Sequence, residues 1–156
     1  MNRREFVETA LAACACALCP AISHAQAGAA VPPAATPAGP VTIGALAKYA
    51  PAGVWDDFAK TCGFVIVSDK GRIYALSATC THKRGGLIKD TATPGQLKCT
   101  KHDGKFNLSG IPVSGPPKVA LARFAISMNA GQLIVDPTKK FEQTDWDKPA
   151  AFVKCA

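Results

Sequence analysis

The sequence predicts a mostly β protein built from short antiparallel strands. Apolar segments rich in β-branched and aromatic residues alternate with turn residues along the body of the chain. Two pairs of these segments are separated by hairpin signals, Asp69-Lys70-Gly71 and Asn129-Ala130-Gly131. Only two stretches could form helices, so an antiparallel sheet architecture is favoured over alternating strands and helices.

The predicted strands follow one another at short intervals. Residues 41–43 begin the folded domain, and residues 48–60 are expected to form a short helix or an irregular arm. The remaining predicted strands are residues 63–68, 73–76, 97–98, 106–108, 124–128 and 132–135.

Residues 1–27 are predicted to be a twin-arginine export signal. Arg3-Arg4 precedes an apolar run over residues 10–22, and Ala25-Gln26-Ala27 provides a small-x-small cleavage site. The run is shorter than the roughly 20 residues that span a bilayer, so no integral membrane span is expected in the mature chain. The predicted location is the periplasm. An uncleaved signal, or acylation of Cys14 in a lipobox-like sequence, would instead associate the protein with the membrane.

Composition shifts divide the rest of the chain. Residues 28–40 are rich in Ala, Pro and Gly and are predicted to be a flexible linker. Residues 41–137 are predicted to form the domain, and residues 138–156 a C-terminal tail. Hydrophobic residues make up 48% of the chain and charged residues 19%, which allows a packed core.

The net charge of +7 belongs to the body, because Arg3 and Arg4 are balanced by Glu5 and Glu8. This charge favours an acidic partner protein. Nucleic acid is excluded as a partner class, because no basic stripe with interleaved aromatic residues is present.

Two short segments combine cysteine with histidine. Cys80-Thr81-His82 is followed after sixteen residues by Cys99-Thr100-Lys101-His102, so each segment offers one thiolate and one imidazole. Two metal sites satisfy this donor set: a Cys2His2 zinc ion, or a [2Fe–2S] cluster with two cysteines on one iron and two histidines on the other. Each segment mixes the two residue types, which favours the two-iron cluster over a zinc finger.

The surroundings of these segments resemble the Rieske family. Phe106 lies four residues after the second histidine, and Gly115-Pro116-Pro117 follows. The resemblance covers residues 41–137 and implies a Rieske-type antiparallel β-sandwich with an inserted cluster-binding subdomain at about residues 78–118. It also implies that Ser114-Gly115-Pro116-Pro117 shields the cluster. One [2Fe–2S] cluster per chain is expected on the following four ligands: Cys80, His82, Cys99 and His102.

This chain departs from the respiratory quinol-oxidising members that it resembles. Those proteins carry two further cysteines that form a disulfide between the ligand loops, where this chain has Gly85 and Lys101. They also carry serine and tyrosine hydroxyls that donate hydrogen bonds to sulfur, where this chain has Gly104 and Phe106. Because such donors stabilise the extra electron of the reduced cluster, a midpoint in the lower half of the range of roughly −150 to +300 mV is predicted.

The segment from Cys80 to Phe106 is basic, with a local net charge of +4. Such charge raises the midpoint potential, whereas the missing hydrogen bonds lower it. Because solvent and salt screen the charge, the effect of the hydrogen bonds is expected to dominate. The basic segment also predicts a surface on which an acidic redox partner docks.

The leading functional prediction is single-electron transfer, as a ferredoxin-like shuttle or as a small subunit of a larger oxidoreductase. The chain shows no further histidine for acid–base work in its predicted mature part, so catalysis by this chain alone is not expected. The alternatives are the Rieske subunit of a cytochrome bc-type quinol oxidase and a zinc-stabilised binding module.

Two cysteines of the body lie outside the motif. In an oxidising compartment, Cys62 and Cys155 are candidates for a disulfide that ties the tail to the domain. A buried free thiol and a disordered tail are the alternatives.

Overall fold

The computed structural model describes residues 37–155. The predicted signal, Cys14 and the first nine residues of the predicted linker lie outside this range. No helix within it is long and apolar enough to cross a bilayer. The strands are β1 (Val41–Ala45), β2 (Gly53–Trp55), β3 (Phe64–Asp69), β4 (Arg72–Ser77), β5 (Leu87–Lys89), β6 (Gln96–Cys99), β7 (Lys105–Asn107), β8 (Pro112–Ser114), β9 (Arg123–Asn129), β10 (Gln132–Phe141) and β11 (Val153–Lys154).

The strands form two antiparallel sheets, which confirms the predicted fold class. The larger sheet has the order β1-β10-β9-β4-β3-β2, with β11 paired to β4. The smaller sheet has the order β5-β6-β7-β8 and is inserted in the chain between β4 and β9. A four-residue helix, α1 (Leu46–Tyr49), and β2 occupy the stretch predicted as a helix or irregular arm. Two short 3-10 helices, Gln143–Asp145 and Pro149–Ala151, follow β10.

Both predicted hairpins have two-residue loops. Asp69 pairs with Arg72, and the intervening Lys70 and Gly71 have φ values of 50° and 71°. The loop between β9 and β10 has the same form, with Ala130 at 47° and Gly131 at 75°. Two positive φ values in succession are those of a type I′ turn, whose twist matches that of the flanking strands.

Strands β3 and β4 separate two apolar cores. Successive side chains of a strand point to opposite faces, so Phe64 and Ile66 enter one core while Val65 and Val67 enter the other. The first pair packs with residues of β1, β9 and β10. The second pair packs with Leu87, Leu97 and Phe106 of the smaller sheet, and this core also contains the two motif cysteines. A strand buried on both faces explains the uninterrupted apolar run at 63–67.

The segment predicted as a C-terminal tail adds to the larger sheet. Strand β10 continues through Pro137 to Phe141, with a register shift between Asp136 and Lys140. Proline donates no backbone hydrogen bond, and a bulge is where a sheet tolerates it. Strand β11 pairs with Arg72 and Ile73 at the start of β4, whereas β9 pairs with the later residues of that strand. Ala151, just before β11, is fully buried.

The candidate disulfide between Cys62 and Cys155 is absent from the described residues, where both cysteines are free thiols. Cys155 donates its N–H to the carbonyl of Gly71, just before β4 begins. The residue after Cys62 accepts a hydrogen bond from Ala78, just after β4 ends. The six residues of β4 cover about 17 Å, whereas a disulfide requires Cα atoms within about 7 Å.

Candidate metal centre

The first motif segment lies on a tight turn that follows β4. The N–H of Cys80 donates to the carbonyl of Gly85 over 2.8 Å, and the N–H of Arg84 donates to the carbonyl of Cys80 over 3.1 Å. Arg84 reaches this geometry with φ at 52°. The turn places Cys80 in the core, with 1% of its surface exposed, while His82 lies exposed.

The second motif segment closes in the same way after β6. The N–H of Cys99 donates to the carbonyl of Gly104 over 2.8 Å, so both cysteines bond to the residue five positions later. The two loops are also tied to each other, because the N–H of Thr100 donates to the carbonyl of Gly86. Cys99 is 6% exposed and His102 is half-buried.

The four side chains are sorted into a sulfur pair and an imidazole pair. Cys80 and Cys99 lie in the same buried core cluster, and Cys99 is close enough to raise the pKa of the Cys80 thiol. The rings of His82 and His102 have centroids 5.0 Å apart and planes inclined at 75°. Among residues 37–155, no three side chains of the metal-binding types converge on one point. The separation of the two cysteines from the two histidines is what a Rieske cluster requires, because the sulfur ligands bind one iron and the nitrogen ligands bind the other.

The protonation chemistry of the pocket suits a metal ligand. Burial raises the pKa of the Cys80 thiol, while the backbone N–H groups of His82 and Lys83 act in the opposite direction. A buried thiolate therefore needs a bound cation to balance its charge. Nδ1 of His102 is buried and has no hydrogen-bond partner among the described residues, which leaves its lone pair available to iron. The residues present fit a [2Fe–2S] cluster.

Two glycines make the close packing of the loops possible. A Cβ atom on Gly85 would lie 2.7 Å from Sγ of Cys99, and one on Gly104 would lie 2.7 Å from Cγ of Pro117. Any side chain at position 85 would therefore press on a candidate ligand sulfur. The sequence marks both positions only as departures from the respiratory pattern, and the steric reason emerges from the fold.

The predicted proline loop packs against the second ligand loop. Gly115 has φ at 81°, and a Cβ atom there would collide with the carbonyl of Asp103. Pro117 is buried, whereas Pro116 is exposed. The chain leaving this loop is fixed to the first ligand loop, because the hydroxyl of Thr81 donates to the carbonyl of Val119 over 2.8 Å. The segment 114–119 thus contacts both ligand loops.

A family model for the Rieske [2Fe-2S] domain matches residues 49–125, which include all four motif residues and the proline loop. The chain belongs to the Rieske family. It therefore binds one [2Fe–2S] cluster and transfers electrons. The match begins at the buried Tyr49 and ends in β9.

The curated relatives match this chain over about 70 residues each. The chain is 40% identical over 72 residues to a carotenoid phi-ring synthase of Chlorobaculum tepidum, covering 46% of this chain and 11% of the synthase. It is 28% identical over 71 residues to the cytochrome b6-f complex iron-sulfur subunit of the same organism, covering 46% and 39%. The chain thus spans well under half the length of these relatives.

Two solved structures are similar to this chain over about two thirds of its length. A chain from the complex of reduced oxygenase and oxidized ferredoxin in carbazole 1,9a-dioxygenase is 25% identical, with a TM-score of 0.50, covering 66% of this chain and 97% of that chain. The plasma membrane Rieske protein of Synechocystis PCC 6803 is 24% identical, with a TM-score of 0.45, covering 61% and 97%.

Proposed function

We propose that Cys80 and Cys99 hold the inner iron of the cluster, and that His82 and His102 hold the outer iron. The single observation that carries this assignment is the separation of the four side chains into neighbouring buried cysteines and neighbouring imidazoles. The bound cluster supplies reversible one-electron chemistry. The chain's own contribution is to bury both thiols, close the second loop with Pro117, and leave His82 exposed as the route for electrons.

The proposed role is that of a periplasmic, ferredoxin-like electron carrier or of a small electron-transfer subunit of a larger oxidoreductase. The paired arginines and the small-x-small site at residues 25–27 support export of the folded protein. The similarity to a chain of an oxygenase–ferredoxin complex, and to a short part of a carotenoid synthase, supports a partner that carries out the chemistry. The net charge of +7 supports an acidic docking face on that partner.

The second candidate is the Rieske subunit of a cytochrome bc-type quinol oxidase. The similarity to a cytochrome b6-f iron-sulfur subunit favours it. Gly85 and Lys101 stand where the respiratory proteins have the cysteines of the loop disulfide, and Gly85 has no room for a side chain. This difference supports the ferredoxin-like role over the quinol oxidase role.

Anaerobic purification of the full chain tests the proposed function. We expect a red-brown protein with two irons and two acid-labile sulfides per chain, and a Rieske-type electron paramagnetic resonance signal after reduction. Cell fractionation should place the protein in the periplasm, and an Arg3→Lys, Arg4→Lys variant should remain in the cytoplasm with its cluster intact. A colourless protein that contains zinc would contradict the electron-transfer role, and recovery of the wild type only in the cytoplasm would contradict export.

A further inference from the structure

The two candidate histidine ligands differ in their access to solvent. His82 is exposed, together with its neighbours Thr81, Lys83 and Arg84. His102 is half-buried and its Nδ1 is inaccessible to solvent. A docked protein therefore reaches the imidazole of His82 more readily than that of His102.

Several cations near His82 are unpaired within the described residues. Lys105, which the sequence counts among the basic residues of the motif, pairs with the buried Asp90 at 2.8 Å and is neutralised. On the second ligand loop, the exposed Lys101 is offset by the exposed Asp103. Lys83, Arg84 and Lys118 are exposed and form no ion pair among residues 37–155.

An apolar side chain lies beside this charge. Val119 is 61% exposed, the most exposed of the large apolar residues in the described part of the chain. The hydrogen bond from Thr81 to its carbonyl places Val119 next to the first ligand loop, and Lys118 precedes it. An apolar centre with a charged rim is the usual composition of a protein interface.

We propose that the redox partner docks on the His82 face, and that it offers carboxylates around an apolar contact for Val119. The face consists of Thr81, His82, Lys83, Arg84, Lys118 and Val119. This inference rests on the proposed electron-transfer function and specifies its partner and its point of electron exit. The occupant is an acidic protein, because three unpaired cations and no carboxylate belong to the face.

The charge and the position of this face are tested by electron transfer to two small oxidants, one anionic and one cationic. Each reduced protein molecule gives one electron to one ferricyanide, which becomes ferrocyanide. At low ionic strength, a variant with Lys83→Gln, Arg84→Gln and Lys118→Gln should react about ten-fold more slowly with ferricyanide than the wild type, and its salt dependence should be flatter. Oxidation by the cationic tris(phenanthroline)cobalt(III) should become faster in the same variant.

A matched control carries the same change in net charge elsewhere on the protein. Lys48, Lys70 and Lys154 are exposed, and Lys70 shares the positive φ of Arg84 at 50°. Their joint replacement by glutamine should alter the ferricyanide rate by less than about two-fold, because screening weakens distant charges. Equal slowing in the two triple variants would overturn the proposed face. An unaltered cluster signal in both variants separates that result from failure of the proposed function.

The apolar contact is tested with an acidic protein as oxidant, plastocyanin. Val119→Ser should slow electron transfer to plastocyanin about five-fold, because the interface loses an apolar contact worth about one kcal/mol. Met128→Ser is the control, since Met128 is 52% exposed on β9 outside the proposed face. Equal rates in the two variants would remove Val119 from the interface.

Discussion

The hydroxyl of Thr81 donates a hydrogen bond over 2.8 Å to the carbonyl of Val119, thirty-eight residues further along the chain. This bond fixes the end of the proline loop to the first ligand loop. Gly115 packs the other end of that loop against Asp103 of the second ligand loop. The segment 114–119 therefore links two loops that the respiratory proteins join by a disulfide.

Gly115→Ala should weaken retention of the cluster. The added methyl group would collide with the carbonyl of Asp103 and lie 2.8 Å from Cα of Gly104. We expect bleaching of the visible absorbance by an iron chelator to become about ten-fold faster, as for a loss of about 1.4 kcal/mol. Gly131→Ala is the control, because Gly131 has a similar φ of 75° but its added methyl group would meet no atom within 4 Å. Similar bleaching of both variants would show that backbone strain alone is responsible.

Thr81→Val should also accelerate loss of the cluster, by a smaller factor. The substitution keeps the shape of the side chain but removes a hydrogen bond worth about 1 kcal/mol. Thr100→Val provides the comparison, since Thr100 adjoins Cys99 and its hydroxyl donates no hydrogen bond among the described residues. Chelator bleaching measures both. A faster loss in Thr100→Val than in Thr81→Val would argue against the link between the loops.

Phe106→Tyr should raise the midpoint potential. Phe106 is fully buried in the core that contains Cys80 and Cys99, at the position where respiratory members carry a hydroxyl donor. A new hydrogen bond to sulfur that favours the reduced state by about 1 kcal/mol would raise the potential by about 40 mV. Protein-film voltammetry measures the change. An unchanged or lower potential would mean that the hydroxyl does not reach a sulfur atom.

The hydroxyl donor that is missing at Gly104 cannot be restored by a similar substitution. A side chain at Gly104 would start 2.7 Å from Cγ of Pro117. The packing of Pro117 against Gly104 therefore keeps this second donor absent and maintains its share of the low potential predicted for this protein. A wild-type midpoint above about +200 mV, near the top of the Rieske range, would contradict this ranking of effects.

Asp90→Asn should reduce stability at neutral pH but not in strong acid. Lys105 donates a hydrogen bond that lowers the pKa of Asp90 to about 2, from an ordinary value of 3.8. The ionised Asp90 therefore stabilises the fold above about pH 4, and this contribution is lost as the pH falls towards 2. The difference in melting temperature between wild type and variant should be largest at pH 7 and should shrink below pH 4.

The matched substitution for this experiment is Asp57→Asn. Asp57 is exposed and forms no ion pair within residues 37–155. The melting temperature of the Asp57→Asn variant should therefore equal that of the wild type across the pH range. If the difference between wild type and Asp90→Asn is as large at pH 2.5 as at pH 7, the ion pair does not account for the stability.

Local signals predicted the hairpins and the ligand loops, because their chemistry depends on neighbours in sequence. Glycine after Lys70 and after Ala130 indicates two-residue turns, and the Cys-x-His spacing indicates paired metal ligands. Strand β11 escaped prediction, since its two residues become a strand only by pairing with the part of β4 that β9 leaves unpaired.

Long-range contacts explain the remaining differences. The distance that rules out a disulfide between Cys62 and Cys155 is set by the length of β4, which lies between their positions in the fold. The charge count around the motif could not foresee that Asp90 neutralises Lys105, because the two residues meet only when β5 and β7 share a sheet. Arg123 makes cation–π contacts with Tyr74 and Trp146, and its guanidinium carbon lies 3.8 and 4.0 Å from the two ring centroids. The contact with Trp146 likewise depends on the path of the C-terminal segment.

In the proposed site, His82 and His102 together bind one iron of the cluster. Pulsed electron paramagnetic resonance of the reduced protein, labelled with ¹⁵N-histidine, tests it most directly. We expect strong hyperfine couplings to two histidine nitrogens in the wild type, because both imidazoles would coordinate the outer iron. Spectra without coordinated histidine nitrogen, or with only one, would contradict the assignment.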